Sequence, residues 1–322
     1  MPNLSNILLI KTSSLGDVLH NLPAVTDIRS HFPDARIDWI VEENFAALPA
    51  LHHGVQEVIP VAVRRWRESW WASRGEIRAT CRNLHARHYD IALDTQGLLK
   101  SALIARCAQT TRCGLARDSA REPLASLFYN CRFSVAMNLH AVERNRQLAG
   151  LALGYKPEGA ADYGIQPPAV ARPAWLTGGV YAVLLHATSR ADKLWDEANW
   201  IALGRYLHEK NIRCVLPWGS AAEQARSLRL AADIPDAAVT PRLSLNEAAA
   251  LLGGAQAVIG VDTGLAHLAA ALNVPTVGIY TATDPALTGL HAGRRAINLG
   301  GKGTSPSVEA ILVELAKMEA YV

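Results

Sequence analysis

Short apolar runs alternate with longer segments of helical periodicity along most of the 322-residue chain. In the first half this pattern predicts strands at 6–11, 37–41, 57–61 and 89–93, and helices at 17–31, 64–85 and 97–107. In the second half it predicts strands at 181–186, 213–217, 257–261 and 276–280, and helices at 197–209, 221–232, 245–252, 265–272 and 307–318. Apolar strands separated by helices favour parallel sheets, so we predict an α/β fold of two doubly wound, Rossmann-like domains facing a cleft.

A Pro- and Gly-rich interval, 154–179, separates the two halves. We therefore predict a first domain over 1–160, a linker over 161–178 and a second domain over 179–305. The sequence leaves open whether the final helix, within 306–322, packs back on the first domain. Ligands of such folds lie at the carboxyl ends of the strands, so the polar residues just after strands are the candidates for function.

Composition narrows the class of protein. Half of the residues are apolar and 19% are charged, as in ordinary globular proteins. The apolar runs are too short to span a bilayer and the start of the chain lacks the features of a signal peptide, which favours a cytoplasmic location. Five scattered cysteines without a CxxC pair predict reduced thiols, with neither a disulfide framework nor a zinc site.

The net charge of +3 is unevenly distributed. Residues 1–155 hold 18 Lys and Arg against 14 Asp and Glu, with most of the basic excess between positions 64 and 87. Such a surface suits a phosphate, a carboxylate or an acidic membrane, although an ordinary solvated face is an equal alternative. We predict no nucleic-acid partner.

Asp17 follows the first strand at the start of a helix. A carboxylate at the edge of the sheet is suited to act as a general base, which accepts a proton as a bond forms. Asp is also a favoured helix cap, and the sequence alone does not separate the two interpretations.

Two loops of the second half have the residues needed to bind a diphosphate. Thr188, Ser189 and Lys193 follow the strand 181–186 and supply hydroxyls and a cation. In the segment VDTGLAH, Asp262, Thr263, Gly264 and His267 follow a strand and open a helix, whose N–H groups favour anions. The alternatives are an ordinary polar loop, a helix cap and a buried structural histidine.

Glu223 follows the strand 213–217 and is placed to accept hydrogen bonds from ribose hydroxyls, or simply to stabilise the first turn of a helix.

The motifs that the sequence lacks also limit the possible functions. No GxGxxG follows the first strand, no complete Walker A loop is present and no Asp-x-Asp pair occurs, which disfavours a dehydrogenase and a metal-carboxylate diphosphate site. We therefore predict no metal and no cofactor, with Lys193 neutralising the leaving group.

The segment RRWRESWW, 64–71, mixes arginines with indoles. If it forms one helix, Trp66 and Trp70 are i,i+4 neighbours. The segment suits either a membrane surface or an amphiphile, and tryptophans packed in the core are an equal alternative.

These motifs together resemble the bacterial heptosyltransferases of glycosyltransferase family nine. The resemblance extends over nearly the whole chain and depends on residues 11–20 (KTSSLGDVLH), 94–101 (DTQGLLKS), 119–125 (SAREPLA), 140–146 (HAVERNR) and 261–267. It implies the GT-B fold and an inverting transfer of the first heptose from ADP-heptose to the Kdo of Kdo-lipid A, at the cytoplasmic face of the inner membrane. A transferase that acts on a later core acceptor and a non-catalytic nucleotide- or lipid-binding protein are the alternatives.

The resemblance also assigns residues to roles. Asp17 matches the catalytic base and Lys193 the phosphate-binding cation. The implied donor contacts are Thr188, Ser189, Lys193, Glu223, Leu243, Asp262, Thr263, Gly264 and His267. The implied acceptor contacts are Ser14, Gly16, Arg64, Arg65, Arg67, Gln96, Gly97, Lys100, Arg121, His140 and Arg144. The chain departs from the family pattern with Ser189 in place of a second Thr, Leu243 in place of Met, and Glu68 in place of Lys.

Overall fold

A computed structural model describes residues 4–170, 173–176 and 178–319. The chain divides into two compact units, Met1–Gly164 and Ile165–Val322. Residues 1–3 of the predicted first domain, residues 171, 172 and 177 of the predicted linker and residues 320–322 of the C-terminal segment lie outside the described residues.

The first unit contains a six-stranded sheet. Its strands are β1 (Asn6–Ile10), β2 (Arg36–Glu42), β3 (Glu57–Val61), β4 (Ile91–Asp94), β5 (Thr111–Leu115) and β6 (Cys131–Phe133). All neighbouring strands are parallel and their order is β3-β2-β1-β4-β5-β6. This is the doubly wound order of the Rossmann fold, in which the strand order reverses beside β1.

Among the described residues of the first unit, seven α-helices follow or separate these strands. They are α1 (Leu15–Leu19), α2 (Leu22–His31), α3 (Ala47–Ala50), α4 (Val63–Glu68), α5 (Trp70–His85), α6 (Leu99–Ala105) and α7 (Ala141–Leu153). β1 is fully buried from Ile7 to Ile10, as its unbroken apolar run predicts for a central parallel strand.

The second unit repeats the plan. Its strands are β7 (Tyr181–Leu185), β8 (Arg213–Leu216), β9 (Ala238–Val239), β10 (Ala257–Val261), β11 (Thr276–Tyr280) and β12 (Ala296–Gly300). They are parallel in the order β12-β11-β10-β7-β8-β9, which is the same Rossmann order counted from β7. Its helices are α8 (Glu197–Glu209), α9 (Ala221–Asp233), α10 (Leu245–Gly253), α11 (Gly264–Ala271), α12 (Pro285–Thr288) and α13 (Val308–Glu319).

The final helix packs within the second unit. Ile311, Leu315 and Met318 of α13 are buried in the core of the second unit, together with the fully buried Trp195 and Trp200. The part of α13 that the structure describes therefore completes the core of its own unit.

Two predicted helices are each interrupted. The segment 17–31 forms α1 and α2, separated by His20 and Asn21. The segment 64–85 forms α4 and α5, with a break at Ser69, whose φ of −136° and ψ of 57° are not helical. The proposed i,i+4 pairing of Trp66 with Trp70 is therefore wrong.

The break at Ser69 separates the tryptophans. Trp66 is buried in a core cluster of the first unit, whereas Trp70 and Trp71 are 58% and 77% exposed. The core interpretation is therefore confirmed for Trp66 alone, and the membrane interpretation stays a prediction for the exposed Trp70 and Trp71. No helix among the described residues is both long and apolar enough to cross a membrane.

The cysteine prediction is wrong for one pair. Cys81 of α5 and Cys107, two residues after α6, form a disulfide across 26 positions of sequence. No sequence motif marks such a pair. Cys113, Cys131 and Cys214 are free, as predicted.

Candidate functional site

Asp17 lies in the first turn of α1, directly beyond the carboxyl end of β1. Its Oδ2 accepts hydrogen bonds from the backbone N–H of Ser14 at 2.9 Å and from the Ser14 hydroxyl at 3.1 Å. Ser14, not Asp17, is the N-cap, and Asp17 occupies the third helical position of a capping box. The predicted Gly16 lies between them, and its carbonyl accepts from the N–H of His20.

Gln96 forms hydrogen bonds to the loop that precedes α1. Its Oε1 accepts from the backbone N–H of Thr12 at 2.6 Å and from the Thr12 hydroxyl at 2.8 Å, and its Nε2 donates to the Ser13 carbonyl. Gly97 follows with a φ of +67°, a conformation that favours glycine because a Cβ is strained there. Two loops at the carboxyl edge of the sheet are thereby fixed to each other.

Lys11 is a functional candidate that sequence reasoning missed. Its side chain is buried, and Nζ donates to the Thr95 carbonyl at 2.8 Å and lies 3.3 Å from Oδ1 of Asn145. Burial lowers the pKa of Lys11, while the negative charges of Asp17 and Asp94 act in the opposite direction. The sequence feature that could have identified Lys11 is its position at the end of a predicted apolar strand.

Several of these side chains line a cavity of about 90 Å³. We call it the Lys11 cavity; its polar lining includes Lys11, Asp17, Gln96, Arg121, Arg144 and Asn145. Arg144 donates to the Ser119 carbonyl at 2.7 Å, and burial lowers the pKa of its guanidinium. A carboxylate beside three cationic side chains suits an anionic ligand that also has a hydroxyl to deprotonate.

Lys100 adjoins this region through Ser13, to whose hydroxyl its Nζ donates at 2.7 Å. Burial lowers the pKa of Lys100; Glu42 opposes the shift, and the positive charges of Arg67 and Arg64 add to it. The predicted basic residues of this part of the chain are therefore electrostatically coupled, although Arg64 and Arg67 are not among the residues that line the Lys11 cavity.

Two other predicted acceptor residues are engaged in local contacts. Arg65 binds Glu76 through two hydrogen bonds of 2.7 and 3.0 Å and lies 3.4 Å from Glu43. His140 is the N-cap of α7, where its Nδ1 accepts from the N–H of Val142 at 3.2 Å. Neither residue lines the Lys11 cavity.

In the second unit, Asp262 is the centre of a hydrogen-bonded cluster at the carboxyl end of β10. Its Oδ2 accepts from Lys193 Nζ and from the Thr283 hydroxyl, both at 2.7 Å. The Thr188 hydroxyl donates to the Asp262 carbonyl at 3.0 Å, and His267 Nε2 lies 3.9 Å from Oδ1. We call these five residues the Asp262 cluster. Thr283 was not anticipated from the sequence.

The Asp262 carboxylate stays ionised over a wide pH range. Burial by itself raises its pKa, but hydrogen bonds from His267, Lys193 and Thr283 outweigh this and hold the pKa well below its usual value. The ion pair with Lys193 is mostly buried, with 18% and 10% of the two side chains exposed. The cluster thus holds a fixed negative charge and a directed ammonium group close together.

α11 starts beside this cluster. Thr263 is its N-cap and Gly264 its first residue, and the buried His267 lies one turn further on. The N–H groups at the start of a helix are free of intrahelical acceptors and favour an anion. The predicted strand–turn–helix context of residues 261–267 is therefore confirmed.

Glu223 is part of a capping box at the start of α9. Its Oε2 accepts from the backbone N–H of Gly219 at 2.7 Å and of Ser220 at 3.2 Å. Leu243 lines a separate cavity of about 390 Å³ beside α10. Ser189 is exposed in the loop after β7.

No group of three or more His, Cys, Asp or Glu side chains among the described residues is arranged to hold a metal ion. Some of the predicted site residues form two groups near strand ends, one in each unit: Asp17, Gln96, Arg121 and Arg144 in the first, and Thr188, Lys193, Asp262 and His267 in the second. In the second group, the cation nearest to the carboxylate is Lys193.

Comparison with known proteins identifies the family. The family model described as glycosyltransferase family 9 (heptosyltransferase) matches residues 77–315. The chain is also 50% identical over 298 residues to Lipopolysaccharide heptosyltransferase 1 of Pseudomonas aeruginosa, with 91% of this chain and 83% of that protein covered. The chain belongs to glycosyltransferase family 9.

Solved structures of this family have the same fold. E. coli heptosyltransferase WaaC with ADP is similar at a TM-score of 0.88 and 42% identity, covering 97% of this chain and 99% of that one. The complex of WaaC with ADP-2-deoxy-2-fluoro heptose gives a TM-score of 0.86 and 41% identity, again over 97% and 99% of the two chains. The predicted α/β class and GT-B fold of this family 9 glycosyltransferase are confirmed.

Proposed function

We propose that this enzyme transfers the first heptose of the lipopolysaccharide inner core from ADP-heptose to the Kdo of Kdo-lipid A, with inversion at the anomeric carbon. We propose further that it acts without a metal, at the cytoplasmic face of the inner membrane. The main structural support is the Asp262 cluster, which combines a cation, hydroxyls and a helix N-terminus at one strand end. The relative at 50% identity is named for heptosyl transfer to lipopolysaccharide.

In this proposal the Asp262 cluster binds the donor. Lys193 has three N–H donors, of which Asp262 accepts one, so the ammonium group can also bind a diphosphate oxygen. The N–H groups at the start of α11 add partial positive charge. Asp262, Thr263 and His267 contact the heptose-diphosphate, Glu223 contacts the ribose, and Leu243 lies against the adenine. The similar structures of WaaC with ADP and with ADP-2-deoxy-2-fluoro heptose support this class of donor.

The Lys11 cavity and its surroundings bind the acceptor. Kdo is a sugar acid, and a cavity lined by Lys11, Arg121 and Arg144 provides positive charge for its carboxylate. Asp17, in the same lining, accepts the proton of the attacking Kdo hydroxyl. Its Oδ2 is already oriented by Ser14, which reduces the motion required of the base.

The transfer is a single displacement. The Kdo oxygen forms a bond to the anomeric carbon while the bond from that carbon to the diphosphate oxygen breaks, and the hydroxyl proton passes to Asp17. ADP leaves with the bonding electron pair, and Lys193 stabilises its growing negative charge. The cation that a metal supplies in other sugar transferases is, in this proposal, the Lys193 ammonium group.

Mass spectrometry and NMR of the product test the proposal. ADP-heptose and de-acylated Kdo-lipid A should give ADP and an acceptor enlarged by one heptose, linked to Kdo with inverted anomeric configuration. A parallel reaction with an already heptosylated core distinguishes the first transfer from a later one. Product formed only from that second acceptor, or retained configuration, contradicts the proposal.

A further inference from the structure

One face of α5 is exposed and strongly basic. Trp71, Arg74, Arg78 and Arg82 recur at i, i+3, i+7 and i+11, which places them on one side of the helix. All four are exposed, and Trp71 is 77% accessible. The Arg74 guanidinium lies 5.0 Å from the centre of the Trp71 ring, so the two side chains do share a face. We call these four residues the Trp71 stripe.

The rest of α5 fixes the direction in which this face points. Ser73 and Leu84 are buried, on the side of the helix that packs against the first unit. Trp70, 58% exposed, extends the apolar part of the stripe at the first turn. Two adjacent indoles are therefore presented to solvent beside a row of three arginines.

The stripe carries no negative charge. Glu76, the acidic residue of α5, lies on another side of the helix, and Arg65 binds its carboxylate at 2.7 and 3.0 Å. Arg74, Arg78 and Arg82 thus form a row of cations along an aromatic pair. Such a row is complementary to an extended anionic surface.

We infer that the Trp71 stripe docks the protein on an anionic phospholipid bilayer. Indole rings favour the boundary between headgroups and acyl chains, and each arginine near an anionic leaflet adds to binding. A row of cations beside two exposed indoles fits a planar charged surface better than it fits a protein partner, whose anchors insert into pockets. The inference rests on the proposed function in taking the acceptor to be a membrane lipid.

Sedimentation with vesicles tests the docking surface. The wild-type protein should bind phosphatidylglycerol–phosphatidylcholine vesicles and not pure phosphatidylcholine vesicles. Arg74→Gln with Arg78→Gln should weaken binding about thirtyfold, the combined effect of two cations near an anionic surface. Trp70→Ser with Trp71→Ser should weaken it at least tenfold.

Matched control variants test whether the loss of vesicle binding is specific to the Trp71 stripe. Arg294→Gln with Lys302→Gln removes two exposed cations of the second unit, and Leu228→Ser removes an apolar side chain that is 56% exposed in α9. Both should leave vesicle binding within about twofold of wild type. Equal losses in the control and stripe variants, or undiminished binding by the stripe variants, overturn the inference.

Activity separates this inference from the proposed function. The Trp70→Ser, Trp71→Ser protein should transfer heptose to soluble, de-acylated acceptor at the wild-type rate and lose activity on vesicle-embedded Kdo-lipid A. Wild-type vesicle binding without heptosyl transfer contradicts the proposed function and leaves the stripe supported. Transfer by a wild-type protein that binds no anionic vesicles contradicts the stripe and the proposed membrane location, and leaves the proposed transfer reaction supported.

Discussion

The ammonium group of Lys193 lies 2.7 Å from Oδ2 of Asp262, although 69 positions separate the two residues. Lys193 follows β7 and Asp262 follows β10, and these strands are parallel neighbours in the second sheet. Adjacent strand ends thus bring an ammonium group and a carboxylate into one cluster, and this relationship is the basis of the proposed donor site.

Lys193→Met should reduce kcat by roughly a hundredfold, because it removes the group that, in our proposal, stabilises the departing diphosphate. ADP affinity should also fall, since the same ammonium group binds the product. Steady-state kinetics and calorimetric titration with ADP measure both effects. Lys210→Met is the matched control, because Lys210 is exposed at the end of α8 and lies over the Tyr206 ring.

Asp17→Asn should reduce kcat by about a hundred- to ten-thousandfold and leave ADP affinity unchanged. The amide oxygen of Asn still accepts from Ser14, so the capping contact is retained and only the proton acceptor is lost. Rapid-quench measurement of heptose transfer and titration with ADP test this. Wild-type turnover in this variant would show that Asp17 is not the catalytic base. Asp34→Asn, at an exposed position, is the control.

Variants of Glu223 and Ser220 distinguish a ribose-binding role of Glu223 from a purely structural role as a helix cap. Ser220→Ala removes the hydroxyl that accepts from the Glu223 N–H, and should lower the free energy of unfolding by about 1 kcal/mol without changing the KM for ADP-heptose. Glu223→Gln keeps an acceptor oxygen for the cap but removes the charge, and should raise that KM. If both variants change only stability, Glu223 is a cap and nothing more.

His186 should make the second unit sensitive to acid. Burial lowers the pKa of His186 to about 4, and Arg226 adds to the shift, while Nε2 shares a hydrogen bond of 2.8 Å with the Ser227 hydroxyl. The unfolded state, with a histidine pKa near 6.5, binds the proton first as pH falls. The stabilising effect is therefore complete above about pH 6.5 and is lost progressively down to about pH 4.

The size of this effect is measurable. A pKa depression from 6.5 to about 4 corresponds to about 3 kcal/mol of unfolding free energy. Denaturant unfolding gives the free energy of unfolding of wild type and of His186→Gln at a series of pH values. The difference between the two plots of free energy against pH is the contribution of His186, because titrating groups that both proteins share cancel. If the free energies of unfolding of the two proteins change in parallel between pH 7 and 4, His186 is not the source of the acid sensitivity.

Removal of divalent cations should leave the reaction rate unchanged. Lys193 supplies the charge that stabilises the leaving diphosphate in our proposal, so exhaustive chelation followed by assay in metal-free buffer is expected to retain full activity. Added Mg²⁺ should neither rescue Lys193→Met nor accelerate wild type. A strict requirement for a metal contradicts this assignment of Lys193.

The sequence was sufficient where local pattern decides structure. Alternating apolar strands and helices predicted two parallel doubly wound sheets, and the residues after strands predicted Asp17 and Asp262 at strand ends. It missed β5, β6, β9 and β12, because short strands such as Cys131–Phe133 lack a continuous apolar run. It also missed the break at Ser69, because no Gly or Pro marks it in the sequence.

By itself, the sequence determined the fold class, the family and the candidate residues at strand ends, since these depend on periodicity and on motifs a few residues long. The tertiary structure alone decided which distant side chains meet: Lys193 with Asp262 and Thr283, Lys11 with Thr95 and Asn145, and Cys81 with Cys107. The reason is physical. Such contacts arise from strand order, register and helix packing, which involve the whole unit at once and leave no local pattern.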